Sequence, residues 1–160
     1  MNEREYWATR AREFHEITGL PADLKEMFSY FYSGTQDEIT RRGARDLIAD
    51  AKRSGIPVGI LTNDLRSFHD ADWLARMPIL DEFEYWVEGR TDGVYKPDPA
   101  AYRLMIERMG VAPGDCVFID DQPVNIRGAK AEGMRTVHLD PTDPAPGFRL
   151  AREMLGLPEE

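Results

Sequence analysis

Residues 116–139 read CVFIDDQPVNIRGAKAEGMRTVHL, and this stretch decides the fold class. The apolar run Cys116–Ile119 predicts a buried strand, and a second short run, Thr136–Leu139, predicts another. The residues between the two runs follow a helical pattern that stops at Gly133. A strand, a helix and a strand in this order indicate two parallel strands joined by a right-handed crossover.

The same alternation runs through the chain upstream of this stretch. A helix is predicted over Ala44–Lys52, and buried strands are predicted over Ile56–Leu61 and Phe83–Val87. A further helix opens at Asp98, with a proline after it, and is capped by Gly110. The sequence therefore predicts an α/β fold in which a parallel sheet carries helices on both faces.

The residues before this alternation have the pattern of a helical hairpin. We predict a helix capped by Asn2 and ended by Gly19, and a second helix with Pro21 in its first turn and its end at Gly34. The polar stretch Thr35–Arg42 then reads as a connector. These patterns divide the chain into a helical segment at 1–42 and an α/β segment at 43–160.

Composition and charge exclude several classes of function. The formal net charge of −9 disfavours nucleic acid as a partner, because binding a polyanion takes clustered lysine and arginine. No apolar run approaches the roughly 20 residues that cross a bilayer, and the charged first residues do not resemble a secretory signal. The single cysteine, Cys116, excludes an intramolecular disulfide and reads as a buried apolar residue. The default expectation is a cytoplasmic protein without membrane contact.

Three polar motifs are predicted near the carboxyl ends of strands, where open α/β sheets place their sites. Thr62-Asn63 follows one strand and could hold a phosphoryl oxygen, although both residue types are also common in turns. Lys96 lies in a loop stiffened by two prolines and delivers a point charge there, unless it is simply a surface lysine. Asp120-Asp121 follows another strand, and adjacent carboxylates suit Mg²⁺ unless Asp121 only caps the next helix.

In this order the three motifs resemble the second, third and fourth motifs of the haloacid dehalogenase superfamily of hydrolases. The resemblance covers Gly43 to about Leu139 and is strongest to the subfamily with a helical cap, of which the segment 1–42 looks like the later part. It implies a Rossmann-like core sheet and a Mg²⁺-dependent phosphatase that acts on a small phosphorylated metabolite. The dehalogenase branch uses no metal, so the aspartate pair counts against that branch.

The resemblance also implies a role for each motif residue. Thr62 and Asn63 would bind the phosphoryl group of the substrate. Lys96 would bind the same group and steady a phosphorylated aspartate, so Thr62 and Lys96 are the implied catalytic residues. Asp121 would ligate Mg²⁺ directly, with Asp120 assisting.

The family's first motif, an apolar strand that ends in Asp-x-Asp and supplies the nucleophile, is not found. The chain's one Asp-x-Asp, Asp70-Ala71-Asp72, lies in a helical pattern and reads as a solvated face. We therefore expect that the chain begins within the cap, lacks the first core strand and has no meaningful turnover by itself. In this fold that strand lies between the strand before Thr62 and the strand before Asp120. Without it, those two strands would either pair directly or leave a gap that invites self-association.

Two other classes of protein share parts of this pattern. A non-catalytic module of the same fold, which binds or assembles through the gap, is the alternative to the phosphatase. A phospho-acceptor receiver domain also combines an aspartate pair, a threonine and a lysine around a parallel sheet, but its acidic pair comes first in the chain. Here the acidic pair comes last, which disfavours a receiver.

Overall fold

The computed structural model describes residues 3–158, and its strands and helices follow the predicted alternation. The predicted cap at Asn2 lies outside the described residues. The elements, in chain order, are α1 (Glu3–Thr18), α2 (Leu24–Phe31), α3 (Gln36–Ile39), α4 (Arg42–Arg53), β1 (Gly59–Thr62), α5 (Leu65–Phe68), α6 (Ala71–Ala75), β2 (Tyr85–Glu88), α7 (Gly89–Asp92), α8 (Pro99–Met109), β3 (Val117–Asp120), α9 (Pro123–Ala131), β4 (Arg135–His138) and α10 (Ala145–Leu155), with 3₁₀ turns at Pro78–Glu82 and Pro113–Asp115.

The strands form two separate parallel pairs in the described part of the chain. β1 pairs with β2, in a register that places Thr62 opposite Glu88. β3 pairs with β4, in a register that places Asp120 opposite His138. The predicted α/β fold with parallel strands is confirmed. A continuous sheet does not form among residues 3–158, because β1 and β3 do not pair with each other.

Helices cover both faces of the two strand pairs and hold them together. On one face, the apolar core of α4 and α10 includes Ile119 of β3 and Val58, which leads into β1. On the other face, the apolar core of α8 and α9 includes Leu61 of β1 and Phe118 of β3. Hydrophobic packing therefore joins the pairs where no shared ladder of hydrogen bonds does.

An apolar cleft lies between β1 and β3. Its volume is about 690 Å³, and residues of β1, β3, α4 and α8 line it. Each of the two strands has one pairing partner, so the backbone N–H and C=O groups on its other edge meet no strand among residues 3–158. Of the two arrangements expected from the sequence, the structure has the gap. Its apolar walls include Leu47, Ile60, Leu61, Met105, Val117 and Ile119.

The N-terminal helices differ from the prediction in three places, one of which is the end of α2 at Phe31 and not at Gly34. α2 begins at Leu24, because the carboxylate of Asp23 accepts hydrogen bonds from the first backbone N–H groups of the helix. Pro21 therefore precedes the helix and does not lie in its first turn. The predicted connector at 35–42 contains the short helix α3, which a capping box stabilises.

An aromatic cluster attaches α1 and α2 to the segment that follows β1. Phe28 of α2 stacks on Phe68 of α5 with 4.4 Å between ring centroids, and Trp7 of α1 packs against both rings. The division of the chain into a cap at 1–42 and a core at 43–160 stays a prediction. Among residues 3–158, no helix combines the length and the apolar character that crossing a membrane requires.

Candidate active site

The carboxyl ends of β1 and β3 carry Thr62 and Asp120. Each is the last residue of its strand. The predicted strands, 56–61 and 116–119, stopped one residue short of them, because an apolar run does not show that strand pairing continues into a polar residue. The backbone of both residues is therefore held in place by the hydrogen bonds of a parallel strand pair.

The side-chain amide of Asn63 forms two hydrogen bonds with the backbone of Lys96. Its Oδ1 accepts a hydrogen bond from the Lys96 N–H at 2.8 Å, and its Nδ2 donates to the Lys96 carbonyl at 3.1 Å. The peptide between Lys96 and Pro97 is cis. The two hydrogen bonds join the loop after β1 to the loop before α8 and orient the lysine. They engage the amide of Asn63 with protein, so direct contact between Asn63 and substrate stays a prediction.

The amine of Lys96 reaches the other strand pair and binds Asp120. Its Nζ lies 2.7 Å from Oδ2 of Asp120, and the two side chains are 13% and 7% exposed. The ring of Phe118 on β3 lies 5.7 Å from the same amine. A buried ion pair needs good geometry to offset the desolvation of both charges, and this pair has it. The structure thus brings Asn63, Lys96 and Asp120 together, and Thr62 directly precedes Asn63 in the chain.

The other oxygen of Asp120 is also hydrogen-bonded. Its Oδ1 accepts from the backbone N–H of Gln122 at 2.8 Å and from Nδ2 of Asn125 at 3.0 Å. Beneath them, the buried hydroxyl of Tyr102 donates to the carbonyl of Asn125 at 2.9 Å. Burial, and secondly the charge of Asp120, raise the pKa of Tyr102 to about 12. Tyr102 therefore stays neutral and serves as a hydrogen-bond donor.

Asp121, the second aspartate of the pair, has a different environment. Its side chain is exposed, and its carboxylate has no hydrogen bond or ion pair with the residues that the structure describes. α9 is capped at Gln122, so Asp121 is not the helix cap that the sequence left open as its other role. The backbone carbonyl of Asp121 lies 3.0 Å from Nε2 of His138.

Of the aspartate pair, Asp121 is the residue whose carboxylate could hold a Mg²⁺ ion that binds together with a ligand. Mg²⁺ usually takes one or two carboxylates and completes its shell with phosphate and water. Asp121 offers a carboxylate without a protein partner, whereas Asp120 already accepts three hydrogen bonds. Residues 3–158 hold no cluster of three or more His, Cys, Asp or Glu side chains that could enclose a metal. The residues therefore suit a site open to phosphate and water, and not an all-protein cage.

Thr62 and Glu88 lie side by side at the ends of β1 and β2. The hydroxyl of Thr62 makes no hydrogen bond within residues 3–158 and can donate to a ligand. The sequence reasoning missed Glu88, which is 2% exposed and whose Oε1 accepts from the backbone N–H of Arg66 at 2.7 Å. The predicted strand 83–87 stopped one residue before Glu88. A lone acid at the end of an apolar strand was the available signal.

The Asp-x-Asp at 70–72 lies away from strands and serves a helix. Asp70 caps α6, since its Oδ1 accepts from the backbone N–H of Trp73 at 2.7 Å. Residues 70–72 are exposed. This agrees with the solvated helical face that the sequence predicts and gives the motif no role in the site.

Comparison with known proteins identifies the family. A model described as haloacid dehalogenase-like hydrolase matches residues 1–133. A phosphatase of Mycobacterium tuberculosis is 33% identical over 97 residues, which are 61% of this chain and 45% of that protein. The phosphoserine phosphatase of Thermus thermophilus is 28% identical over 149 residues, which are 86% of this chain and 59% of that enzyme. The crystal structure of an uncharacterized protein from Corynebacterium glutamicum matches with a TM-score of 0.65 at 29% identity, covering 79% of this chain and 89% of that one.

The chain spans about half the length of these two curated relatives. The family model nevertheless covers most of the chain, including all three motifs at 62–63, 96 and 120–121. The chain therefore belongs to the haloacid dehalogenase-like hydrolases.

Proposed function

We propose that this chain carries the phosphoryl-binding and metal-binding part of a Mg²⁺-dependent phosphatase that acts on a small phosphorylated metabolite. The observation that carries the proposal is the bridge in which Asn63 holds Lys96 and Lys96 reaches Asp120. The bridge joins the amine of Lys96 to the carboxylate of Asp120 at the carboxyl ends of strands, where α/β proteins bind ligands, and Thr62 and Asp121 are the chain neighbours of Asn63 and Asp120. The phosphatase names of the two curated relatives support the same reaction class.

Each residue has a distinct task in this proposal. The hydroxyl of Thr62 donates to a phosphoryl oxygen. Asn63 holds the backbone of Lys96 and Asp120 holds its amine, so this amine offsets negative charge on the phosphoryl group with little reorganisation. Mg²⁺, held by Asp121 with Asp120 assisting, would neutralise charge on the phosphoryl oxygens.

The attacking carboxylate is not assigned to any of these residues. Hydrolysis through an aspartyl-phosphate breaks the bond between phosphorus and the leaving oxygen and needs a carboxylate that can approach phosphorus. Asp120 is engaged by Lys96, and the Asp-x-Asp at 70–72 caps α6. We therefore expect the 160-residue chain to bind Mg²⁺ and phosphate without turning over an aryl phosphate.

Calorimetry tests the metal assignment. Inorganic phosphate is titrated into the chain with and without Mg²⁺, and we expect Mg²⁺ to raise the phosphate affinity of the natural sequence. Asp121→Asn should abolish the Mg²⁺ effect. Asp115→Asn is the matched control, because Asp115 is an exposed aspartate at the opposite end of β3 and should leave the effect unchanged. Equal Mg²⁺ dependence in the natural chain and in Asp121→Asn would remove Asp121 from the site.

Hydrolysis of 4-nitrophenyl phosphate tests the second expectation, the lack of turnover. The assay is run with Mg²⁺ and with EDTA, beside Asp121→Asn. Metal-dependent hydrolysis that Asp121→Asn removes would show that the chain does contain an acceptor carboxylate. The expectation of no turnover would then be wrong, while the phosphatase proposal would stand.

The cleft between β1 and β3 supports a second function, that of a non-catalytic module that self-associates through the gap. A four-residue strand is about 13 Å long, lies about 4.8 Å from its neighbours and fills a layer roughly 10 Å thick. It therefore occupies a volume of roughly 600 Å³ in a sheet. The cleft, at about 690 Å³, has the volume for such a strand, and both of its edges present unpaired backbone groups. A second copy that inserts an apolar segment would complete both ladders.

Light scattering coupled to size-exclusion chromatography tests this second function. Self-association through the cleft predicts a dimer whose population rises with concentration and falls in Ile60→Lys, since Ile60 lines the cleft. Val124→Lys is the control, because Val124 lies on α9 and is 40% exposed. A chain that stays monomeric at every concentration would rule out self-association.

A further inference from the structure

The carboxylate of Glu88 is buried and has no task in the proposed reaction. Glu88 is 2% exposed at the end of β2. Burying a carboxylate is unfavourable unless it is paired and hydrogen-bonded, and an apolar side chain of similar size would fill the same space without that penalty. The role of an acid at this position should therefore lie in the groups that its two oxygens bind.

Both oxygens of Glu88 hold the segment that follows the phosphoryl-binding residues. Oε1 accepts from the backbone N–H of Arg66 at 2.7 Å, and Oε2 pairs with the guanidinium of Arg66 at 3.1 Å. The hydroxyl of Thr91 donates to Oε2 at 3.3 Å. The same guanidinium lies 5.2 Å from the ring of Trp86. Glu88 thus fixes the first turn of α5, four residues after Thr62.

The residue after Glu88 brings the end of β2 against the same loop. A Cβ atom at Gly89 would lie 2.8 Å from the carbonyl oxygen of Asn63 and would overlap the ring of Tyr95. Such a short distance to backbone leaves no room for a side chain, so the end of β2 and the Asn63 loop are in direct contact. The loop at 62–66 is therefore held by Glu88 at its far end and by the backbone of Gly89 in its middle.

We infer that Glu88 is a positioning residue for the phosphoryl-binding loop. It fixes the backbone of Arg66, which sets the path of the loop and so the place of the Thr62 hydroxyl and of the Asn63 amide. Because Asn63 orients Lys96, the influence of Glu88 extends to the amine that meets Asp120. This role rests on the proposed phosphatase function, and Glu88 itself does not touch the substrate.

Amide hydrogen exchange and phosphate titration, both followed by NMR on the full chain, test this inference. Glu88→Ala removes the acceptor and the charge, whereas Glu88→Gln keeps an acceptor for the Arg66 N–H and removes the charge. Glu84→Gln is the matched control, because Glu84 is exposed and immediately precedes β2. For Glu88→Ala we expect exchange of the Arg66 amide to accelerate about 10- to 100-fold, the change for losing a hydrogen bond to a charged group. Glu88→Gln should recover part of that loss.

The phosphate titration separates positioning from mere stability. Positioning predicts that Glu88→Ala weakens inorganic phosphate binding and shifts the Lys96 amide resonance, at a temperature where the protein is still folded. If Arg66 and Lys96 keep their exchange rates and resonances in both variants, the inference is wrong. If the natural chain binds no phosphate at all, the proposed function fails, while the exchange rates still decide whether Glu88 positions the loop.

Discussion

Replacing Asn63 by alanine removes the two hydrogen bonds that tie the loop after β1 to Lys96. The bonds measure 2.8 and 3.1 Å, and a hydrogen bond of this kind contributes about 0.5–1.5 kcal/mol net. The two contributions together set the scale of the effect. We expect Asn63→Ala to lower the free energy of unfolding by about 1–3 kcal/mol.

Urea unfolding followed by circular dichroism measures this change. With a slope of about 1–3 kcal/mol per M urea, the midpoint should fall by roughly 1 M. The urea midpoint of Asn63→Asp should lie between those of the natural chain and of Asn63→Ala. Aspartate still accepts a hydrogen bond from the Lys96 N–H but cannot donate one to the Lys96 carbonyl. Gln122→Ala is the control, since Gln122 carries an exposed amide next to the site and should change the free energy by less than about 0.5 kcal/mol.

The reasoning fails if Asn63→Ala and Gln122→Ala unfold at the same urea concentration. A double-mutant cycle with Lys96→Ala adds a second check. Because Asn63 binds the backbone N–H and C=O of Lys96, which alanine keeps, Asn63→Ala should destabilise the Lys96→Ala variant by nearly as much as it destabilises the natural chain. A much smaller effect in the Lys96→Ala background would mean that Asn63 stabilises the fold through the lysine side chain and not through these two hydrogen bonds.

Three further predictions concern packing at Gly89, the pH dependence of stability and the reactivity of Cys116. Gly89→Ala should lower the free energy of unfolding by about 1–3 kcal/mol through overpacking, whereas Gly114→Ala, where an added Cβ meets nothing within 4 Å, should be close to neutral in thermal unfolding. The Arg152 guanidinium holds the pKa of Asp50 below its usual range, so this pair stabilises the fold above about pH 4 and the contribution is lost as the pH falls through the folded-state pKa. Asp50→Asn should therefore flatten the pH dependence of the urea midpoint below about pH 5, and an unchanged slope would contradict this. Burial raises the pKa of the Cys116 thiol, so its reaction with a disulfide reagent at pH 8 should be at least about tenfold slower in the native chain than in urea.

The sequence contained enough to predict the alternation of strands and helices, whereas the roles of the site residues stay predictions. Strand periodicity sufficed to place Thr62 and Asp120 at the carboxyl ends of two strands, where α/β proteins carry their sites. The hydrogen bonds between Asn63 and Lys96 could not be predicted, since the two residues are 33 positions apart and the contact depends on how two loops pack. The burial of Glu88 could not be predicted for a related reason. An acidic residue is expected at the surface unless its partners are known, and the partners of Glu88 are the backbone and the guanidinium of Arg66.

The division of the strands was also beyond the sequence. Apolar runs predict that strands are buried, but they do not say which strand pairs with which. Both a direct pairing of β1 with β3 and a gap satisfied the same pattern of Val, Ile and Leu. The structure has the gap, and the apolar cores under α4, α8, α9 and α10 join the two pairs across it.

The two strand pairs also have a consequence for the order in which the protein folds. Each pair is local in sequence, with β1 and β2 inside residues 59–88 and β3 and β4 inside residues 117–138. Local contacts form quickly, and such units open and close cooperatively. The site belongs to neither unit, because Asn63 lies in the first, Asp120 in the second and Lys96 between them. The contacts of Lys96 with Asn63 and Asp120 should therefore form only after both pairs have packed on the helices that they share.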